Sequence, residues 1–171
     1  MRELFRMDRQ NYNPEGKVYR RPSARAVILK DGKVLLNYVA KYGCYEFPGG
    51  GIEPGETPES AVQREVKEET GRIVIPESVR EFGIVIRRQR DSHDPDGIFE
   101  QENYYYFCKT EEELVSQELD EYEKDAEFVL RIVPIDEAIA TNEAYTSEDS
   151  FNPVMIKREC RVLKMIAERN K

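Results

Sequence analysis

Glu65, Glu68 and Glu69 crowd the stretch REVKEETG, Arg64 to Gly71. Successive helical residues rotate by about 100°, so on a helix these carboxylates project from one side. Like charges at this spacing repel by roughly a few tenths of a kcal/mol per pair. Gly71 marks a helix end, where the dipole is already negative. Arg64 and Lys67 relieve part of the repulsion, but a cation between the carboxylates relieves it far more strongly. Clustered oxygens with no histidine or cysteine partner suit Mg²⁺ or Mn²⁺ rather than Zn²⁺. A solvated acidic face is the simpler reading of the helix taken alone; the segment before it changes that.

The helix spans Thr57 to Thr70, with Thr57 as N-cap, Pro58 at its first position and Gly71 just past its end. Val62 and Val66 lie on the neighbouring face and can anchor it. Upstream, SARAVILK (Ser23–Lys30) and KVLLNYVA (Lys33–Ala40) flank Asp31-Gly32, a strong hairpin signal. GCYEFPGGG, Gly43–Gly51, reads as a short strand running into a glycine loop. Downstream, Arg72–Arg90 reads as two strands broken at Pro76, followed by a loop over Asp91–Gly97. Asn103–Thr110 and Glu127–Ile135 read as strands, with loop or weak helix over Leu114–Asp125 between them. A short helix over Asp136–Asn142 precedes a C-terminal helix from about Asn152. Ile156, Cys160, Leu163 and Ala167 form its core stripe.

With those elements in place, GGGIEPGETPESAVQREVKEETG, Gly49 to Gly71, resembles the signature of the Nudix hydrolases. Gly50, Glu56, Arg64, Glu65, Val66, Glu68, Glu69 and Gly71 each stand where that signature specifies a residue. Arg72 departs from it, standing where an aliphatic residue is usual, and Ile73 is expected to take over the packing. The resemblance implies an α/β (α+β) fold, an α/β/α sandwich around a mixed sheet. It also implies hydrolysis of a diphosphate linkage in a nucleoside triphosphate or nucleoside diphosphate-linked compound, by attack of water on phosphorus. Mg²⁺ or Mn²⁺ would be the cofactor. Glu65, Glu68 and Glu69 would be its ligands, with the backbone carbonyl of Gly49 added, and Glu65 or Glu68 would be the base. Arg64 would hold the carboxylates in orientation, a task for which a planar fork suits better than a lysine. Glu56 would fix the loop and the helix. Glu123 ranks first as a metal ligand beyond the motif, ahead of Glu100 and Glu102. Two alternatives share the fold: a nucleotide-sensing domain without turnover, and a prenyl diphosphate isomerase, for which Cys44 would have to be the catalytic cysteine.

Other residues carry weaker expectations. His93 reads as a solvated loop residue among Asp91, Asp94 and Asp96. Arg87, Arg88 and Arg90 read as a solvated strand end, with substrate phosphates as the alternative. Of Tyr104, Tyr105 and Tyr106, at least one should face the core. Tyr45 is a candidate for lining the pocket. Cys44 and Cys108 read as packing residues, since no histidine lies near either in sequence. Asp91–Glu102 and Val115–Glu127 are the expected specificity segments.

The bulk numbers set limits on this reading. The chain has 171 residues, expected to form one domain with an N-terminal arm over residues 1–20 and a C-terminal helix over 152–171. Acidic residues number 34 against 26 basic, a formal charge of −8, which disfavours broad nucleic-acid or membrane-surface binding. The expected partner is a small nucleotide-like diphosphate. A homodimer is the oligomer that the resemblance suggests. Three scattered cysteines suit a reducing cytoplasm, and no apolar run approaches a membrane span or a signal-peptide core.

Overall fold

The computed structural model describes residues 1–146 and 153–169. Its centre is the hairpin of β3 (Ser23–Lys30) and β4 (Lys33–Val39). Asp31 and Gly32 turn it with φ of 50° and 74°, the primed turn that matches strand twist. β3 is buried on both faces, and its alternation divides it between two layers. Ala24, Ala26 and Ile28 pack beneath helix α1 (Pro58–Thr70) with Ala61, Val62 and Val66. Val27 faces the other way, into a cluster with Val34, Leu36 and Tyr105. Val162, Leu163 and Ile166 of α4 (Pro153–Arg169) close that cluster from outside. The result is the expected α/β/α sandwich.

Among the described residues, nine strands form one mixed sheet. Its main path runs β1 (Glu3–Asp8), β8 (Arg80–Arg90), β9 (Ile98–Phe107), β3, β4, β11 (Phe128–Pro134). β3 runs parallel to β9, and β8 antiparallel to it. The N-terminal arm is integral: β1 pairs in parallel with β8, and β2 (Val18–Arg20) with β9. β5 (Cys44–Glu46) pairs with β4, and Gly49–Gly51, expected as a loop, is a strand, β6, paired with β3. β7 (Arg72–Val74) and β10 (Thr110–Leu114) form a separate ribbon. A short helix α2 (Glu121–Asp125) precedes β11, and α3 (Ile135–Glu143) follows it.

Two expectations about packing need correction. Ile73 does not take over from Arg72: it is 39% exposed, and Val74 is the buried residue of β7. Strand alternation sends residue 73 to the face opposite residue 72, so a neighbour in sequence cannot replace it. The half-buried Arg72 has an Nε without a hydrogen-bond partner among the described residues. On α4, Ala167 is only half-buried, and the inward face carries Arg158 and Glu159, both fully buried. Positions 152 and 170–171 of that expected helix lie outside the described residues.

Candidate active site

Local chemistry sets α1 firmly. Thr57 Oγ1 accepts from the Ser60 N–H at 3.1 Å and Ser60 Oγ accepts from the Thr57 N–H at 3.0 Å, a reciprocal cap. At the other end Gly71 takes φ 65°, and its N–H donates to the Lys67 carbonyl at 2.9 Å. The three glutamates do not share one environment. Glu65 and Glu69 are buried at 8% and 4% exposure, on the same stripe as Val62 and Val66, whereas Glu68 is half-buried at the rim. The carbonyls left unpaired at the helix end are met by the following segment. The Glu118 N–H donates to Glu68 O at 2.8 Å, the Val115 N–H donates to Gly71 O at 2.8 Å, and Gln117 Nε2 donates to Glu69 O. That segment leads into α2, which delivers Glu123.

Glu65, Glu69 and Glu123 each place a carboxylate oxygen within 4.8 Å of the others. Burial pushes the carboxyls of all three above the usual range. Glu69 is raised well above it, although it accepts from Asn37 Nδ2 at 2.7 Å and from the Gly49 N–H at 2.9 Å. Gly50 lets β6 approach: a Cβ there would overlap the Glu65 carboxylate. Glu123 also closes the cap of α2, accepting from the Asp120 N–H at 2.8 Å.

Arg64 organises the rim. Its Nε and Nη2 grip Glu56 at 2.8 and 3.0 Å, and its Nη1 reaches Glu65 at 2.8 Å and Glu68 at 3.0 Å. A second bond from Nη2 goes to the Gly51 carbonyl at 3.0 Å. These bonds hold the Glu56 carboxyl below its ordinary pKa. Gly49 is more occupied than expected, because Arg25 Nη1 donates to its carbonyl; an oxygen with two lone pairs has one left.

These groups face a cavity of about 860 Å³. Two charged residues in its walls carried no expectation from the sequence. Arg25, 9% exposed, interrupts an apolar strand and exerts the largest charge effect favouring ionised Glu69. Glu46, 4% exposed, has an Oε1 with no partner among the described residues, and burial pushes its carboxyl up to about 7. Both were signalled by a charge inside a strand-like apolar run, SARAVILK and CYEF. Arg87, read as part of a solvated strand end, is 6% exposed and lines the cavity. Beneath the cavity Glu159 accepts from Arg158 Nε at 2.8 Å, Tyr105 Oη at 3.2 Å and the Phe47 N–H at 3.3 Å. Arg158 Nη1 in turn reaches Asn103 Oδ1 at 2.6 Å. This buried pair ties α4 to the strand just before the glycines.

Other candidates fall elsewhere. Tyr45 does not line the cavity; it is buried in the core, its ring 5.0 Å from that of Tyr38. Glu100 pairs with Arg20 at 3.0 Å, and Glu102 accepts from Tyr104 Oη at 2.8 Å, so neither joins the acidic cluster. His93 has a side chain 94% exposed. Cys44 sits among Val39, Ala126 and Ile156, off the cavity, its thiol pushed up to about 12 by burial, which removes the feature the isomerase alternative required. Cys108 is likewise a buried packing residue. Tyr105 and Tyr106 face the two cores on opposite sides of β9. No helix of the described residues is long and apolar enough to cross a membrane.

Comparison with known proteins gives the same picture. An ADP-ribose pyrophosphatase of Methanocaldococcus jannaschii is 46% identical over 69 residues, 38% of this chain and 39% of its own. An RNA pyrophosphohydrolase of Acinetobacter baylyi is 41% identical over 61 residues, 35% of this chain and 36% of its own. The chain thus spans well under half the length of these curated relatives. In fold, it is similar to a NUDIX hydrolase from Nitrosomonas europaea (TM-score 0.57, 21% identity, 87% of this chain and 90% of that one). A MutT protein from Bacillus halodurans is comparable (TM-score 0.55, 22% identity, 80% of each chain). The profile of the NUDIX domain matches residues 19–154, most of the chain including the whole acidic cluster, and the protein therefore belongs to the NUDIX domain family.

Proposed function

We propose that this protein is a divalent-metal-dependent pyrophosphohydrolase of nucleotide-like diphosphates. The observation that carries this reading is the cluster of Glu65, Glu69 and Glu123, mostly buried and mutually repelling, on the wall of a cavity large enough for a nucleotide. The donor set fits Mg²⁺ or Mn²⁺: hard carboxylate oxygens, with no histidine or cysteine among them. Glu65, Glu69 and Glu123 would hold the ion, with Glu68 and the free lone pair of the Gly49 carbonyl as further donors. When bound, the ion neutralises phosphate charge and lowers the pKa of a water.

The chain's own residues do the rest. Glu65 or Glu68 accepts the proton of the attacking water at a carboxylate oxygen. Arg64 is a positioning residue: by holding Glu65 and Glu68 from one nitrogen it fixes where those oxygens point, and Glu56 locks Arg64 in turn. Burial of the cluster excludes bulk water and strengthens every charge interaction within it.

A panel of ADP-ribose, nucleoside triphosphates, nucleotide sugars, dinucleoside polyphosphates and capped RNA, each with Mg²⁺ or Mn²⁺, tests the reading. Turnover of at least one compound is expected, lost on chelation and in Glu68→Gln. No turnover of any compound across metals and pH would sink it.

A further inference from the structure

Arg87 lines the cavity, and the acidic cluster leaves its chemistry unexplained. In the β8–β9 register Arg87 faces Gln101, and Gln89 faces Phe99, so these four side chains share one face. That face turns to the cavity, which Arg87, Phe99 and Gln101 all line. The guanidinium lies 5.4 Å from the Phe99 ring centroid, and its Nε donates to the neutral Gln89 amide at 3.2 Å. Its Nη1 and Nη2 have no partner among the described residues. Neighbouring Arg88, on the opposite face, has a carboxylate beside it, Glu100 at 3.6 Å.

The setting of Arg87 is unusual for an arginine this deeply buried. Its charged neighbours are the cations Arg158 and Arg9, and desolvation with their repulsion lowers its pKa to about 10. Buried cations without a carboxylate are strongly disfavoured, and stacking on a ring recovers only part of the cost. A guanidinium beside an aromatic ring, with two donor nitrogens left without a partner among the described residues in a side chain that lines a cavity, suits an oxyanion. Arg21 is a further cation of the same lining.

Resting on the pyrophosphohydrolase reading, we propose that Arg87, seated on Phe99, binds the phosphate that is not attacked and stabilises it as it departs. The carboxylate cluster, which lines the same cavity, would hold the attacked phosphate through its ion. Water oxygen bonds to that phosphorus, and the bridging P–O bond breaks. The bridging electron pair stays on the departing phosphate, whose growing negative charge faces Arg87, and the water's proton passes to the base. Arg87 is then a catalytic residue in the strict sense, and the enzyme would favour substrates whose leaving half ends in a phosphate over phosphomonoesters of alcohols.

Methylenediphosphonate separates this idea from turnover and from nucleoside preference, since it cannot be hydrolysed and has no base. Calorimetry with its Mg²⁺ complex should show binding to the parent, weaker by about tenfold or more in Arg87→Gln, with Arg87→Lys between them. On the best substrate of the hydrolysis panel, Arg87→Gln should lose on the order of 100-fold in kcat/KM, with kcat falling as well as KM rising. Mn²⁺ affinity should stay at the parental value in both variants, and the thermal midpoint of Arg87→Gln should not fall below the parental one, since the substitution removes a buried charge. Diphosphonate binding that is absent in the parent, or equal in parent and Arg87→Gln, overturns the proposal. So does loss of Mn²⁺ binding along with diphosphonate binding, which would mark Arg87 as merely structural. Arg87-dependent binding without turnover of any compound would support the anion site while removing the hydrolase reading.

Discussion

Single side chains here do work that their residue types alone do not announce. Arg64 uses all five of its donors on Glu56, Glu65, Glu68 and Gly51, which no other side chain could reproduce. Arg64→Lys keeps the charge and loses the fork. It should cut kcat/KM by about 10–100-fold, the range for partners that orient a metal's ligands, while Mn²⁺ still binds. Steady-state kinetics beside a Mn²⁺ titration would check this, and parental kinetics would contradict it. Glu69→Gln should behave in the opposite way. An amide oxygen can still accept from Asn37 and Gly49 but carries no buried charge. The metal-free variant should therefore unfold at a higher temperature than the metal-free parent at pH 8, while Mn²⁺ binding and turnover collapse. A lower midpoint would count against the burial argument.

At the scale of elements, α1 was legible from end to end because its caps and glycine stop are local chemistry. The β3–β4 hairpin was legible for the same reason. What sequence could not show was which rows of charge turn inward. Arg158 and Glu159 look like solvent residues on an amphipathic helix, but each is buried because the other is there to pair with it. Arg87 and Arg88 look equivalent in sequence, and pleating sends one into the cavity and the other to Glu100. The Glu123 assignment came from resemblance, since its place beside Glu69 depends on the docking of residues 115–118 on the end of α1. That docking also governs Gly71. Its φ is 65°, and a Cβ would strike the Val115 carbonyl. Gly71→Ala should cost about 1–2 kcal/mol from backbone strain, plus the displaced contact. Differential scanning calorimetry should record a fall of several degrees, and an unchanged midpoint would mean the segment does not dock there.

For the molecule as a whole, the acidic cluster makes stability depend on pH and on metal in opposite senses. A carboxyl whose pKa rises on folding holds more protons folded than unfolded. Its contribution is complete at low pH and disappears as pH climbs through the raised value. Glu46 moves from 4.5 to about 7, and Glu65, Glu69 and Glu123 shift in the same direction. Chelator-treated protein should therefore lose thermal stability as pH rises from about 5 to 8. Mn²⁺ at a hundred times its Kd should restore about 2.7 kcal/mol at the upper end and far less at the lower. Thermal midpoints across that range, with and without the ion, decide the matter; a metal-free midpoint that climbs with pH would contradict it.

The bond from the Phe47 N–H to Glu159 joins positions 112 residues apart. On a ribosome adding about 5–20 residues per second, the amino-terminal partner emerges on the order of ten seconds before the other is made. Through that interval the chain already carries the glycine strand and the acidic helix but lacks α4, which packs on β5 from the other face of the sheet. Glu46, on the strand β5 against which α4 packs, can meanwhile keep its water and its charge. The nascent chain therefore completes the burial of Glu46 late, when α4 closes over β5 beneath a site whose other parts have been waiting.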